Sequence, residues 1–174
     1  NRSYTSQPGT QSQMRLAILG LGKLGAPLAA VYAHAGHDVV GVDLNPEVIA
    51  AINSPDPSFE EPGLAEMIVD NRERITATDD GVQATRDCEA SFIIVPTPSL
   101  PNGAFSADLV VQAAQSIGRG LRERDDYHLV VLCSTVMPGT TGGELQAELE
   151  SVSGKRCGPD FGLCYSPEFI ALGS

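Results

Sequence analysis

The stretch from Met14 to Asp43 constrains the fold more than any other part of the chain. Met14 to Leu19 is a short apolar run suited to a buried strand, and it breaks at Gly20-Leu-Gly22-Lys-Leu-Gly25. Ala26 to Ala35 then reads as a helix. Asp38 to Asp43 is a second buried run, and it ends on an acid. Strand, glycine turn, helix, strand and carboxylate, in that order, predict a dinucleotide-binding βαβ unit.

Each part of that unit has a physical task. Gly20 permits the tight turn out of the strand, Gly22 leaves the backbone open to a pyrophosphate, and Gly25 lets the helix pack closely on the sheet. Lys23 and Leu24 complete the same cofactor-binding corner, with the Lys23 side chain read as solvated. The helix start points unpaired N–H groups and the positive end of its dipole at the phosphates. Pro27 sits in the first turn, where a missing N–H costs little. Asp43 follows Gly25 by 18 positions, close to the roughly 20 expected of the acid that bonds a ribose 2′-hydroxyl. A carboxylate there repels a 2′-phosphate, so the expected cofactor is NAD rather than NADP.

A length of 174 residues suggests one domain, able to bury roughly 70% of its unfolded surface. The net charge of −11 argues against a general binder of nucleic acid or anionic membranes, because phosphate backbones need clustered Lys and Arg. No apolar run approaches the roughly 18 residues of a bilayer span. Residues 1–13 are polar and rich in Ser, Thr, Gln and Gly, and read as a flexible leader without the apolar core of a signal peptide. The four cysteines, Cys88, Cys133, Cys157 and Cys164, show no metal-ligand spacing, so no metal is expected. Cys133 and Cys164 fall in apolar strand patterns and are expected as reduced core residues, with Cys157 the exposed one. A cytoplasmic location is the expectation.

Downstream, strands are expected at Arg74–Thr78, Ser91–Val95, Tyr127–Cys133 and Phe161–Tyr165. Helices are expected from Pro46 to Ile52, from Leu64 to Asn71 and from an Asp79 cap to Arg86. Two more follow, one after a Ser106 cap and one from Pro138 to Glu150. Pro96 to Phe105 must be a loop. Alternating strands and helices predict an α/β, Rossmann-type doubly wound parallel sheet of six strands in the order 3-2-1-4-5-6. Ligands in such sheets lie at the carboxyl ends of the strands. That rule selects the Gly20–Gly25 turn, Asp43, Pro96–Pro98, Ser134–Gly139 and Ser166–Gly173.

Those loops place polar groups where the fold binds ligands: Pro96-Thr97 past the fourth strand, Ser134-Thr135 past the fifth, Glu168 past the sixth. Taken singly, each has a plainer reading. The hydroxyls can bond their own turns, and the acid can be a solvated surface group.

Together with the glycine turn, the segments Glu61-Pro-Gly-Leu64, Val95-Pro-Thr-Pro98, Ser134-Thr-Val-Met-Pro-Gly-Thr-Thr141 and Ser166-Pro-Glu-Phe169 resemble the N-terminal NAD-binding domain of the UDP-glucose/GDP-mannose dehydrogenase family. The resemblance runs from Met14 to about Gly173. It implies a parent enzyme that oxidises the C6 alcohol of a nucleotide sugar to a carboxylate with two NAD, through an aldehyde captured by a cysteine and a thioester that is then hydrolysed. On that resemblance Gly20, Gly22, Gly25 and Asp43 match cofactor positions, and Thr97 and Thr135 match hydroxyls near the nicotinamide. Glu168 matches the acid that activates water for thioester hydrolysis, with Thr135 helping to hold the water. Phe169 and Ile170 match the start of a substrate loop.

Lys23 stands where the family often has tyrosine, and Leu172 where several members have a second acid. The family's nucleophilic cysteine, its lysine and most of its substrate surface belong to later domains. The expectation is therefore an NAD-binding domain over residues 14–174, inactive alone, whose parent is a homo-oligomer acting on a nucleotide sugar. Two alternatives are an NAD-dependent hydroxyacid or hydroxyacyl dehydrogenase domain and a non-catalytic NAD-sensing module.

Overall fold

A computed structural model of the chain describes residues 13–168. Six parallel strands, β1 (Arg15–Leu19), β2 (Asp38–Val42), β3 (Ile75–Thr78), β4 (Ala90–Ile93), β5 (His128–Leu132) and β6 (Phe161–Tyr165), form one sheet in the order β3-β2-β1-β4-β5-β6. Six α-helices connect them: α1 (Gly25–His34), α2 (Pro46–Asn53), α3 (Leu64–Asp70), α4 (Gly81–Asp87), α5 (Asp108–Arg122) and α6 (Gln146–Ser153). This is the doubly wound topology that the alternation of patterns predicts.

Successive strand residues point to opposite faces, and β1 shows it directly. Ala17 and Leu19 join a core with α4, α5 and α6, while Ile18 joins a second core with α1, α2 and α3. Both faces of the central strands are thus apolar, the pattern of a buried parallel sheet. In α5, Val110, Ala113, Ala114, Ile117 and Leu121 are buried at helical spacing. The fully buried residues of α1 are alanines and Gly25, so helix and strands approach closely, with Tyr32 packing its ring on Phe92 of β4 at 5.3 Å between centroids.

Several boundaries differ from the sequence reading. The fourth strand ends at Ile93, not Val95, because the hydroxyl of Ser134 takes the Val95 N–H at 2.9 Å in place of a neighbouring strand. Asp80 rather than Asp79 caps α4, its carboxylate accepting from Gln83 N at 2.9 Å. Ser106 accepts from Asp108 N, two residues on, and so forms a turn ahead of α5 rather than its cap. The helix expected from Pro138 begins later. Gly139 turns the chain at φ 91°, and Thr141–Leu145 form a π-helical turn closed by Leu145 N to Thr140 O at 3.0 Å, leading into α6. Gly142 and Gly143 in that turn weaken the ordinary α-helical alternative.

All four cysteines are free. Cys133 is buried as expected, but Cys164 is exposed and Cys157 only partly so, reversing the sequence assignment. Cys164 is the penultimate residue of an edge strand, on the face away from α5 and α6, and among the described residues no helix covers it; Cys157 packs beside the core those helices cover. Gln13, at the end of the expected leader, donates from its amide to Asp38 at 2.7 Å.

Candidate NAD-binding site

The site is built where β1 runs into α1. Gly20 adopts φ 99°, and a Cβ there would lie 2.2 Å from the carbonyl oxygen of Ile94. At Gly25 a Cβ would lie 1.8 Å from the carbonyl oxygen of Gly20. Those two glycines are demanded by the protein's own backbone. Gly22 differs, since a Cβ there would meet nothing within 4 Å. Its missing side chain leaves space for something other than protein.

The amides around that space are free to donate. Gly20 N bonds Val42 O at 2.8 Å, and Leu21 N bonds the Asp43 carboxylate at 2.7 Å. Among the described residues, no acceptor takes the N–H groups of Gly22, Lys23, Leu24 or Gly25. Four successive open donors at a helix N-terminus suit a diphosphate. Lys23 is exposed, in keeping with a solvated side chain.

Asp43 closes β2 and is held from both sides. Its second oxygen accepts from Asn45 N at 2.9 Å. A cavity of about 430 Å³ opens beside it, lined by Gly20, Asp43, Leu44, Val95 and Pro96, and on the far side by α5. The acid thus stands between the glycine corner and a largely apolar chamber.

The remaining predicted residues lie along the same edge but outside the cavity. Ser134 is buried and stitches two strand ends together, accepting from Val95 N and donating to Val95 O at 2.8 Å. Thr97 is half-buried and Thr135 exposed, each just past its strand. Glu168 is exposed beyond β6. Its charge, after burial itself, helps push the Cys133 thiol up to about 11 and raises the Tyr32 phenol, so the carboxylate sits near both. Phe169, Ile170 and Leu172 lie outside the described residues.

Sequence reading missed the cavity's far wall. Asp79 at the end of β3 lines it, as do Leu109, Gln112, Ala113, Ser116 and Arg119 of α5. Their spacing carries the signal. Offsets of three, four, seven and ten positions from Leu109 share one helix face, and the apolar members of that face pass for core alone.

The open amides, the anchored acid and the chamber at the sheet's switch point define a Rossmann-type dinucleotide-binding domain of the dehydrogenase kind. The sequence profile of the UDP-glucose/GDP-mannose dehydrogenase family, NAD binding domain, matches residues 14–174. The chain belongs to that family, and its cofactor is NAD. It is 39% identical over 162 residues to the UDP-glucose 6-dehydrogenase AglM of Haloferax volcanii, a match covering 92% of this chain and 37% of that protein.

Among solved structures, a ternary complex of GDP-mannose dehydrogenase from Pseudomonas aeruginosa superposes with a TM-score of 0.87 at 38% identity, over 91% of this chain and 37% of that one. A UDP-glucose dehydrogenase from Pyrobaculum islandicum gives 0.86 at 35% identity, over 97% and 39%. The chain therefore spans little more than a third of the length of these relatives. Among the described residues, no helix is long and apolar enough to cross a membrane.

Proposed function

We propose that this chain is the cofactor-binding part of a nucleotide-sugar 6-dehydrogenase. In this reading the whole enzyme oxidises the C6 alcohol of a UDP- or GDP-linked sugar to a carboxylate, consuming two NAD. Bound NAD supplies the hydride acceptor. The observation that carries the reading is that Glu168, exposed beyond β6, shares the carboxyl edge of the sheet with the open amides of Gly22–Gly25 and the carboxylate of Asp43.

The chain's own residues divide the work. Backbone N–H groups of the glycine corner hold the diphosphate, and Asp43 accepts from the ribose hydroxyls. Pro96 and Thr97, with Thr135, border the reacting end, while Ser134 keeps the ends of β4 and β5 together. Glu168 takes a proton from the water that cleaves the acyl intermediate, a task for a positioned carboxylate. Phe169 and Ile170 begin the substrate loop. The nucleophilic cysteine and most substrate contacts come from further domains of a homo-oligomeric parent, so residues 14–174 alone bind NAD without turning substrate over. The hydroxyacid alternative leaves the Ser166-Pro-Glu-Phe169 segment without a role.

The test is stoichiometric. The full-length enzyme should form two NADH per uronate from UDP-glucose, GDP-mannose or an N-acetylated relative, and the isolated chain should bind NAD by calorimetry yet form none. One NADH per product, or no oxidation of any nucleotide sugar, rejects the proposal.

A further inference from the structure

We propose that Arg119 of α5 fixes the adenine end of the cofactor and sets the domain's affinity for adenosine-bearing ligands. This rests on the dinucleotide reading of the cavity beside Asp43. Because α5 leads from the carboxyl edge of β4 towards the start of β5, its first turns lie at the cavity and its later residues lie deeper. Helical side chains lean towards the helix N-terminus. The Arg119 side chain does so, bringing a guanidinium nitrogen within 3.5 Å of Ser116 Oγ, one turn nearer the cavity, where both residues join the lining.

The charge arrangement makes this arginine distinctive. Among the described residues it is the only basic one lining the cavity, whose other ionised side chains are Asp43 and Asp79. Neither acid pairs with it, for among the described residues the ion pairs within 4.0 Å join Arg74 to Asp38 and Arg86 to Asp87 and Glu123. Asp43 is already bound by two backbone amides. A planar cation with unspent donors therefore faces a slot walled by Val42, Val95 and Leu109, with Leu44 at its side still 77% exposed.

A purine suits that slot. Its faces pack on aliphatic walls, its ring nitrogens accept from a guanidinium, and its π-face attracts one. The oxidised nicotinamide ring carries a positive charge and is repelled by the same group. Arg119 thus selects which end of the dinucleotide enters.

The experiment titrates AMP, ADP-ribose, NAD and nicotinamide mononucleotide into the chain and its Arg119→Ala and Arg119→Lys variants by calorimetry, at low and high salt. Arg119 is exposed, so the variants should melt as the parent does. Arg119→Ala should weaken AMP, ADP-ribose and NAD about tenfold and leave nicotinamide mononucleotide unchanged. Lysine should restore little of the loss, which should persist in salt. Unchanged AMP and NAD binding by Arg119→Ala overturns the assignment of Arg119 and leaves the NAD site standing. Full rescue by lysine with loss of the effect in salt also overturns it, leaving only charge compensation. A parent chain that binds neither NAD nor ADP-ribose overturns the dinucleotide reading and this assignment together.

Discussion

The backbone N–H of Leu21 donates to Oδ2 of Asp43 at 2.7 Å, tying the middle of the glycine turn to the end of the neighbouring strand. One carboxylate thereby does two things. It shapes the glycine corner and fixes the position of its own charge at the carboxyl end of β2.

Removing Asp43 should therefore affect both stability and selectivity. Asp43→Ala leaves Leu21 N and Asn45 N without their acceptor, at a cost of about 1–3 kcal/mol for a charge-assisted bond in a half-buried place. NAD affinity should fall about tenfold. Asp43→Asn keeps an oxygen for Leu21 but loses the repulsion of a 2′-phosphate, so the NAD-to-NADP ratio of dissociation constants should narrow. Urea melts and paired titrations of the two cofactors measure this. An unchanged cofactor preference in Asp43→Asn would remove Asp43 from the ribose.

The two glycines that follow that amide, Gly22 and Gly25, should fail in different ways. Gly25→Ala drives a methyl to 1.8 Å from a backbone oxygen that cannot swing aside, so the variant should lose more than about 3 kcal/mol or not fold. Gly22→Ala meets open space, so it should melt within about 0.5 kcal/mol of the parent while NAD binding drops at least tenfold. Calorimetric titration beside a thermal melt separates the outcomes. Normal NAD binding by Gly22→Ala would mean that the open space is not the phosphate site.

That contrast shows what the sequence carries and what it hides. The pattern of Gly20, Gly22 and Gly25 gives all three positions and the strand order that follows from them. It does not show which atoms a side chain at Gly20 or Gly25 would strike, the carbonyl oxygens of Ile94 and Gly20. Nor could spacing reveal that Ser134 spends its hydroxyl on Val95, because that bond spans two strand ends 39 positions apart. Cys164 looked like core because alternation marks a strand residue as facing a sheet face, but whether a helix covers that face depends on topology. Arg119 was illegible for a similar reason, since its contribution depends on a cavity formed by five separate segments.

His128 predicts a pH dependence far from the site. It is fully buried at the start of β5, with Nε2 2.9 Å from Ser91 Oγ and Nδ1 3.0 Å from the Arg124 guanidinium. Nδ1 also lies 3.1 Å from the carbonyl oxygen of Cys88, to which the Arg124 guanidinium donates as well. Burial first, and then Arg124, lower the imidazole to about 4 from its usual 6.5. The unfolded chain therefore takes up a proton near pH 6.5 that the folded chain refuses until about pH 4. Its contribution is complete above pH 6.5 and is lost as the pH falls from there to about 4, by about 3 kcal/mol in all. His128→Asn should flatten the difference in stability between pH 7 and pH 5 in urea melts, while lowering stability at neutral pH. An undiminished slope in the variant would assign that pH dependence to the carboxylates.

Glu168 gives the sharpest chemical prediction. A thioester hydrolyses slowly unless a water is deprotonated where it attacks, and Glu168 is the exposed carboxylate just past the sixth strand. In the full-length enzyme, Glu168→Gln keeps the size and hydrogen-bonding reach of the side chain but cannot take a proton. The first hydride transfers should proceed and a covalent acyl-enzyme should accumulate, visible as a mass increase on the protein after mixing with substrate and NAD. Turnover should fall by about 10²–10⁴-fold. The same substitution in the isolated chain should lower the Cys133 thiol from about 11, since Glu168 is among the groups that raise it. Hydrolysis at the parental rate, with no adduct, would take the role of base away from Glu168. A lowered Cys133 in that case would still place the carboxylate beside β5, separating its position from its chemistry.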